Sequence, residues 1–205
     1  MSEKCVLFLL DAPNIDGVLG RIIGRPPKQE DRPDWKLLYE WLATGPRAYR
    51  GEFLEACIFL NLSPTSSALR WVEYLFKDIG YNVFTKPKLN GEGDIDDDII
   101  QHFQARVQEG DVTEIILASH DGSAFHGPLL ELKKQHPNLT ITILCFEEKS
   151  SLLVNEPQFE HIDLEDVAVN GKTLFSYSLP RFVLSRIPPE GRWYRPIHTQ
   201  IDTST

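Results

Sequence analysis

The sequence predicts an α/β fold of three layers, a mostly parallel five-stranded sheet with helices on both faces. Apolar runs of strand length recur along the chain, and the first is continuous rather than alternating, as in a strand buried on both faces. Segments with helical periodicity separate the runs, which implies right-handed crossovers onto a parallel sheet. Composition agrees with a folded domain: of 205 residues, 41% are hydrophobic and 25% charged, unlike a disordered, collagenous or membrane-spanning chain.

In chain order, residues 5–10 (CVLFLL) are the first strand. Residues 20–33 (GRIIGRPPKQEDRP), rich in Gly, Pro and charge, read as an exposed loop inserted after it. Residues 35–43 are a helix capped by Asp34 and stopped by Gly45 and Pro46. Residues 53–60 (FLEACIFL) are the second strand. Over residues 66–79, Leu69, Val72, Leu75, Phe76 and Ile79 fall on one helical stripe, with Ser63 or Thr65 as cap, Pro64 in the first turn and Gly80 at the end. Residues 81–85 (YNVFT), 114–118 (EIILA) and 140–146 (TITILCF) supply three more strands, with helices over 96–107 and 125–135 between them.

Helical periodicity stops at Asn170-Gly171, a hairpin-turn signal. Residues 170–205 hold five Lys/Arg against two Asp/Glu, net +3, so residues 1–169 carry 16 against 28, net −12. The chain therefore divides into an acidic α/β domain over 1–169 and a basic C-terminal extension over 170–205. The overall net charge of −9 excludes a surface that binds duplex nucleic acid or anionic lipid broadly. Cys5, Cys57 and Cys145 lie far apart inside apolar runs, with no Cys-x-x-Cys pair and no Cys/His zinc spacing. Reduced, buried thiols in a cytoplasmic protein are the expectation. The apolar run at 5–10 is too short for a signal-peptide core or a membrane span.

In open α/β sheets, ligands sit outside the carboxyl ends of the strands, and here those ends are acidic. The first strand runs into Asp11-Ala12-Pro13-Asn14, the fourth into Ser119-His120-Asp121-Gly122-Ser123, and the third is followed by Asp94-Ile95-Asp96-Asp97-Asp98. Each set has an ordinary structural use, as an Asx turn, a helix cap or a solvated helix start. Three sets at the strand ends of one sheet point jointly to a hard divalent cation, Mg²⁺ or Mn²⁺, held by oxygen ligands. Asn14 would contact substrate or orient a metal-bound water.

A hydrophobic strand ending in D-x-x-N, an acidic segment opening a helix, and a strand followed by S-x-D-G/S-x-x-F resemble the NYN domains of the PIN-like nuclease superfamily. The matching stretches are LLDAPNIDG, GDIDDDII and ILASHDGSAF, and the resemblance covers residues 5–165. It implies the strand order 3-2-1-4-5 and hydrolysis of RNA phosphodiester bonds by a divalent-metal-dependent ribonuclease. Its metal ligands would be Asp11, Asp96, Asp98 and Asp121, with Asp94 as a supplement. Asp11, Asn14, Asp96 and Asp121 would be the catalytic set. The pattern departs at Ser123, which stands where the family carries a second carboxylate, and at His120, which replaces a glycine.

Asn14, Ser119, His120, Ser123 and Lys88 are the candidate substrate contacts, and RNA the expected partner. His126, Lys86, Arg21, Arg25 and Lys133-Lys134 are further candidates for phosphate or acid roles, each with a solvated-surface alternative. In the extension, Arg181, Arg186, Arg192 and Arg195 interleave with Phe182, Trp193 and Tyr194, a pattern that suits base stacking or packing of the tail onto the domain. Walker A, G-x-S-x-G and G-x-G-x-x-G motifs are missing, and Pro13 stands where a haloacid-dehalogenase-type phosphatase needs its second aspartate. The alternatives to a nuclease are an RNA-binding or regulatory module without turnover, and a structural subunit forming a homo-oligomer through residues 20–33 and the tail.

Overall fold

Six strands pair in parallel in the order β3-β2-β1-β4-β5-β6. The computed structural model describes residues 4–45, 52–62, 66–87, 95–146, 152–177 and Leu179. Strand β1 (Cys5–Asp11) lies between β2 (Phe53–Leu62) and β4 (Val112–Ala118), with Leu9 opposite both Cys57 and Leu117. Outside β2 lies β3 (Asn82–Pro87); outside β4 lie β5 (Thr140–Cys145) and β6 (Glu160–Asp163).

Every residue of β1 is buried, and its alternation feeds two cores. Val6, Phe8 and Leu10 pack with helices α1 (Ala12–Ile23) and α2 (Trp35–Thr44) on one face. Leu7 and Leu9 pack on the other face with α4 (Asp96–Gln108) and α5 (Gly122–Gln135). Each such leucine or phenylalanine contributes about 1.5–3 kcal/mol on full burial. The crossover between β2 and β3 is α3 (Ser66–Glu73), continued by a π-helical turn over Tyr74–Ile79.

One expectation is corrected and another is extended. Residues 20–33 are not one exposed loop, because residues 20–23 belong to α1, whose Ile15, Val18, Leu19 and Ile22 are buried. Gly17 and Gly20 lower its intrinsic propensity by about 1 kcal/mol each, and the buried apolar stripe overrides that. Pro13 falls in the first turn, where its missing N–H costs nothing. The sheet also has six strands rather than five. Its sixth, Glu160-His161-Ile162-Asp163, is an edge strand with no fully buried residue, so it lacks the apolar run that marks the others.

The Asn170-Gly171 turn joins the short antiparallel strands β7 (Ala168–Val169) and β8 (Lys172–Thr173), with φ of 51° and 78° at its two residues, as a two-residue hairpin turn demands. The chain beyond 169 stays on the domain as far as it is described. Leu174, Phe175 and Leu179 join the core on the α1/α2 face, and the Leu174 carbonyl accepts the Asp34 N–H at 2.8 Å. The basic and aromatic residues of 181–195 lie outside the described residues.

Buried Asp31 fastens this return. Its carboxylate accepts two bonds from Arg25, one from the Lys28 N–H at 2.7 Å and one from the Tyr177 hydroxyl at 2.6 Å. The Arg25 guanidinium holds the Asp31 carboxyl well below the usual carboxylate range; burial opposes this and the Tyr177 hydroxyl supports it. A depressed folded-state value makes its stabilisation complete above the ordinary aspartate range, near about 4, and lost as pH falls through the folded value. Tyr177→Phe is expected to cost about 1–2 kcal/mol in urea unfolding at neutral pH, and Asp31→Asn to flatten the acid limb of the stability profile.

Candidate active site

Strands β1 and β4 are neighbours whose following helices leave to opposite faces, so a crevice opens between their carboxyl ends. Both strands exit through an aspartate in nearly the same conformation. Asp11 (φ −84°, ψ 83°) caps α1 by accepting the Asn14 N–H at 3.2 Å, and Asp121 (φ −78°, ψ 83°) caps α5 by accepting the Ala124 N–H at 3.0 Å. Each carboxylate therefore sits at the positive end of a helix, which favours its charge.

The two exits are wired together. Buried Ser119 donates its hydroxyl to Asp11 Oδ2 at 2.9 Å and accepts the Asp121 N–H at 3.1 Å. Asn14 Oδ1 accepts the His120 N–H at 2.9 Å. Asp11 is 2% exposed, which makes these partners necessary to it. Ser123, at the exposed start of α5, donates to Asp121 Oδ1 at 2.5 Å.

The His120 ring stacks on Phe146, and its Nε2 accepts the Phe146 N–H at 2.9 Å, so the imidazole braces the end of β4 against that of β5. Helix α4 runs antiparallel to the strands, since Arg106 in its last turn reaches Cys5 at the start of β1 and Asp111 just before β4. Its acidic start, Asp96-Asp97-Asp98, therefore lies toward the carboxyl ends of the strands. Asp96 is half-buried, and Asp98 forms a half-exposed ion pair with Lys86 at 2.9 Å. Asp94 and Lys88 lie outside the described residues. No three of Asp11, Asp96, Asp98 and Asp121 bring carboxylate oxygens within 4.8 Å of one another.

Two cavities border this edge. One of about 1120 Å³ is bounded by Ala12 and Pro13 at the start of α1 and by Asn61, Arg70, Trp71 and Tyr74. The other, of about 480 Å³, lies between α4 and β3 and is lined by Phe59, Phe84, Lys86, Ile95, Asp98 and His102.

Among the described residues, the group whose geometry could hold a metal ion is Glu55, Cys57 and His102, with ligand atoms mutually within 4.8 Å. Glu55 and Cys57 are two apart on β2 and share a face; His102 comes from α4. Burial foremost, then the Glu55 carboxylate, pushes the Cys57 thiol up to about 12. Burial also lowers the His102 value, against an opposing pull from Glu55. Sequence spacing gives no sign of this group, because 45 residues separate Cys57 from His102.

No family model and no curated protein matches the chain. Among solved structures it is similar to a protein of unknown function from Vibrio parahaemolyticus RIMD 2210633, with a TM-score of 0.59 and 18% identity over 80% of this chain and 94% of that one. At that identity the likeness is one of fold. No described helix is long and apolar enough to cross a membrane.

Two substitutions probe the crevice. Ser119→Ala removes a buried hydroxyl from between the two exits and is expected to cost about 1–3 kcal/mol in denaturant unfolding. At Gly122 a Cβ would lie 2.9 Å from Leu152 Cβ and 3.0 Å from its backbone nitrogen. Gly122→Ala is therefore expected to destabilise by about 1–3 kcal/mol, read as a lowered Tm.

Proposed function

We propose that the protein is a ribonuclease dependent on Mg²⁺ or Mn²⁺, working at the crevice between β1 and β4. The observation that carries this is the pair of helix-capping aspartates at adjacent strand exits, Asp11 and Asp121, joined through Ser119 and lying at the edge toward which α4 turns its acidic start. These residues offer only oxygen donors, the chemistry hard divalent ions take. Mg²⁺ dehydrates reluctantly and keeps several waters, so carboxylates of which no three converge within 4.8 Å suit a hydrated ion with one or two direct ligands.

When bound, the cation supplies an activated water and neutralises charge developing on the phosphoryl oxygens. Asp11 and Asp121 hold it, with Asp96 as a third oxygen donor and Asp98 as a supplement once released from Lys86. Asn14 is fixed by its bond to the His120 N–H, which leaves its amide NH₂ as the donor for substrate or water. Ser119 positions Asp11, and His120 positions the β4 exit. The cavity beside Ala12 and Pro13 presents Trp71 and Tyr74 for base stacking and Arg70 for phosphate, a combination that suits single-stranded RNA.

Ser123 supports a second reading, a module that binds RNA without cleaving it, because a neutral hydroxyl occupies Asp121 Oδ1 where a second carboxylate would reinforce the metal. One experiment separates the two. Cleavage of single-stranded and structured RNA is followed with Mg²⁺ or Mn²⁺, with chelator, and with Asp11→Asn and Asp121→Asn. Metal-dependent cleavage that falls by roughly 10²-fold or more in each variant, as expected from losing a cation worth several kcal/mol of charge stabilisation, supports the nuclease. Equal cleavage by wild type and Asp11→Asn overturns it; RNA binding without cleavage under any metal favours the module.

A further inference from the structure

The residues that could hold a metal lie on α4 and in the amino-terminal half of β2, where Cys57 is two positions before Phe59, the partner of Asp11, and their ligand chemistry differs from that of the aspartates. Cys57 Sγ is 3.5 Å from His102 Nε2 and 3.9 Å from Glu55 Oε1, and His102 Nε2 is 3.5 Å from Glu55 Oε1. Around a tetrahedral zinc ion, with Zn–S of about 2.3 Å and Zn–N or Zn–O of about 2.0–2.1 Å, ligand atoms stand roughly 3.3–3.6 Å apart. Two sides of the observed triangle fall within that range, and the third, Cys57 Sγ to Glu55 Oε1 at 3.9 Å, needs only a small side-chain adjustment to close one face of that tetrahedron.

The surroundings favour this use. Cys57 is fully buried, and the side chains of Glu55 and His102 are 15% and 20% exposed. Arg106 Nε donates to Glu55 Oε2 at 2.8 Å, which leaves Oε1 turned toward Cys57 and His102. Such an outer partner fixes the orientation of a ligating carboxylate. The charge of Arg106 is shared with Glu109 and Asp111, so the cation beside Glu55 is already offset. His102 is held edge-on by Phe59, at a centroid distance of 5.7 Å, and packs against Phe84 at 5.0 Å.

We propose that Glu55 Oε1, Cys57 Sγ and His102 Nε2 bind one zinc ion, separately from the aspartates at the carboxyl edge. Thiolate with imidazole selects zinc over magnesium or manganese, because the softer ligands match the softer ion. Three protein ligands leave the fourth position to a water or an exogenous ligand, reached from the 480 Å³ cavity that His102 lines. The ion would join β2 to α4, so zinc binding is expected to raise the Tm. The site does not depend on the ribonuclease reading.

The test uses the full chain, stripped of metal by chelator and titrated with Co²⁺ as a spectroscopic stand-in. The expected result is a near-ultraviolet thiolate-to-cobalt charge-transfer band with the strong visible bands of four-coordinate cobalt, saturating at one equivalent and displaced by Zn²⁺. Cys57→Ser should abolish the charge-transfer band, and His102→Gln or Glu55→Gln should weaken binding by about 10-fold or more. The double variant Cys5→Ser/Cys145→Ser, in which Cys57 is the remaining thiol, should keep the band. Circular dichroism verifies that each variant folds. No thiolate band in the wild type, or loss of the band in the double variant while it remains folded, overturns the proposal, and both results are readable even if Cys57→Ser does not fold.

Discussion

Burial of β1 on both faces is the constraint from which the rest of the molecule follows. A strand buried along its whole length must find a partner for any polar side chain it carries, and β1 carries its one carboxylate at the last position, Asp11. Its neighbours are β2 and β4, so the sheet reverses its winding beside it, and the helices that follow β1 and β4 depart to opposite faces. The crevice between those exits is a consequence of connectivity and handedness. What the crevice contains is decided by two exit residues, both aspartate.

An aspartate buried at such a position would be costly without partners. Here the same groups that cap α1 and α5 satisfy it: backbone N–H groups at the helix starts, and the Ser119 hydroxyl between them. Capping and the proposed cation binding thus draw on one preorganised set of atoms. The caps are sufficient reason for the aspartates to fold where they do, and the crossed bonds Ser119–Asp11 and His120–Asn14 go beyond capping because they join two different exits.

Helix α4 carries different chemistry along its length. Its thirteen residues span about 20 Å, with three aspartates in the first turn and Arg106 in the last, the distribution the helix dipole favours. Its start brings oxygen donors toward the carboxyl edge. Two turns along, His102 meets Glu55 and Cys57 on β2. Burial works against the charge of Arg106, and Glu55 and Asp111 more than offset it, which keeps the guanidinium firmly protonated. The last oxygen donor of the helix start, Asp98, and the imidazole of His102 therefore stand about one turn apart on one helix and border the same cavity.

The sequence by itself determined the alternation of strands and helices, the burial of β1 on both faces, the cap at Asp34, the turn at Asn170-Gly171, and the acidic character of the strand exits. These are local or periodic properties: continuous apolar runs, a cap next to its helix, a turn dipeptide. It understated α1, where Gly17 and Gly20 mask a buried stripe, and β6, whose four residues carry no apolar run. Tertiary structure alone decided that Asp31 receives Tyr177 from 146 residues away, that His120 braces β5 rather than standing free in the crevice, and that Cys57 faces His102. The physical reason is common to all three: such contacts depend on which elements the sheet order and crossovers bring side by side, and no spacing within a single strand or helix encodes that.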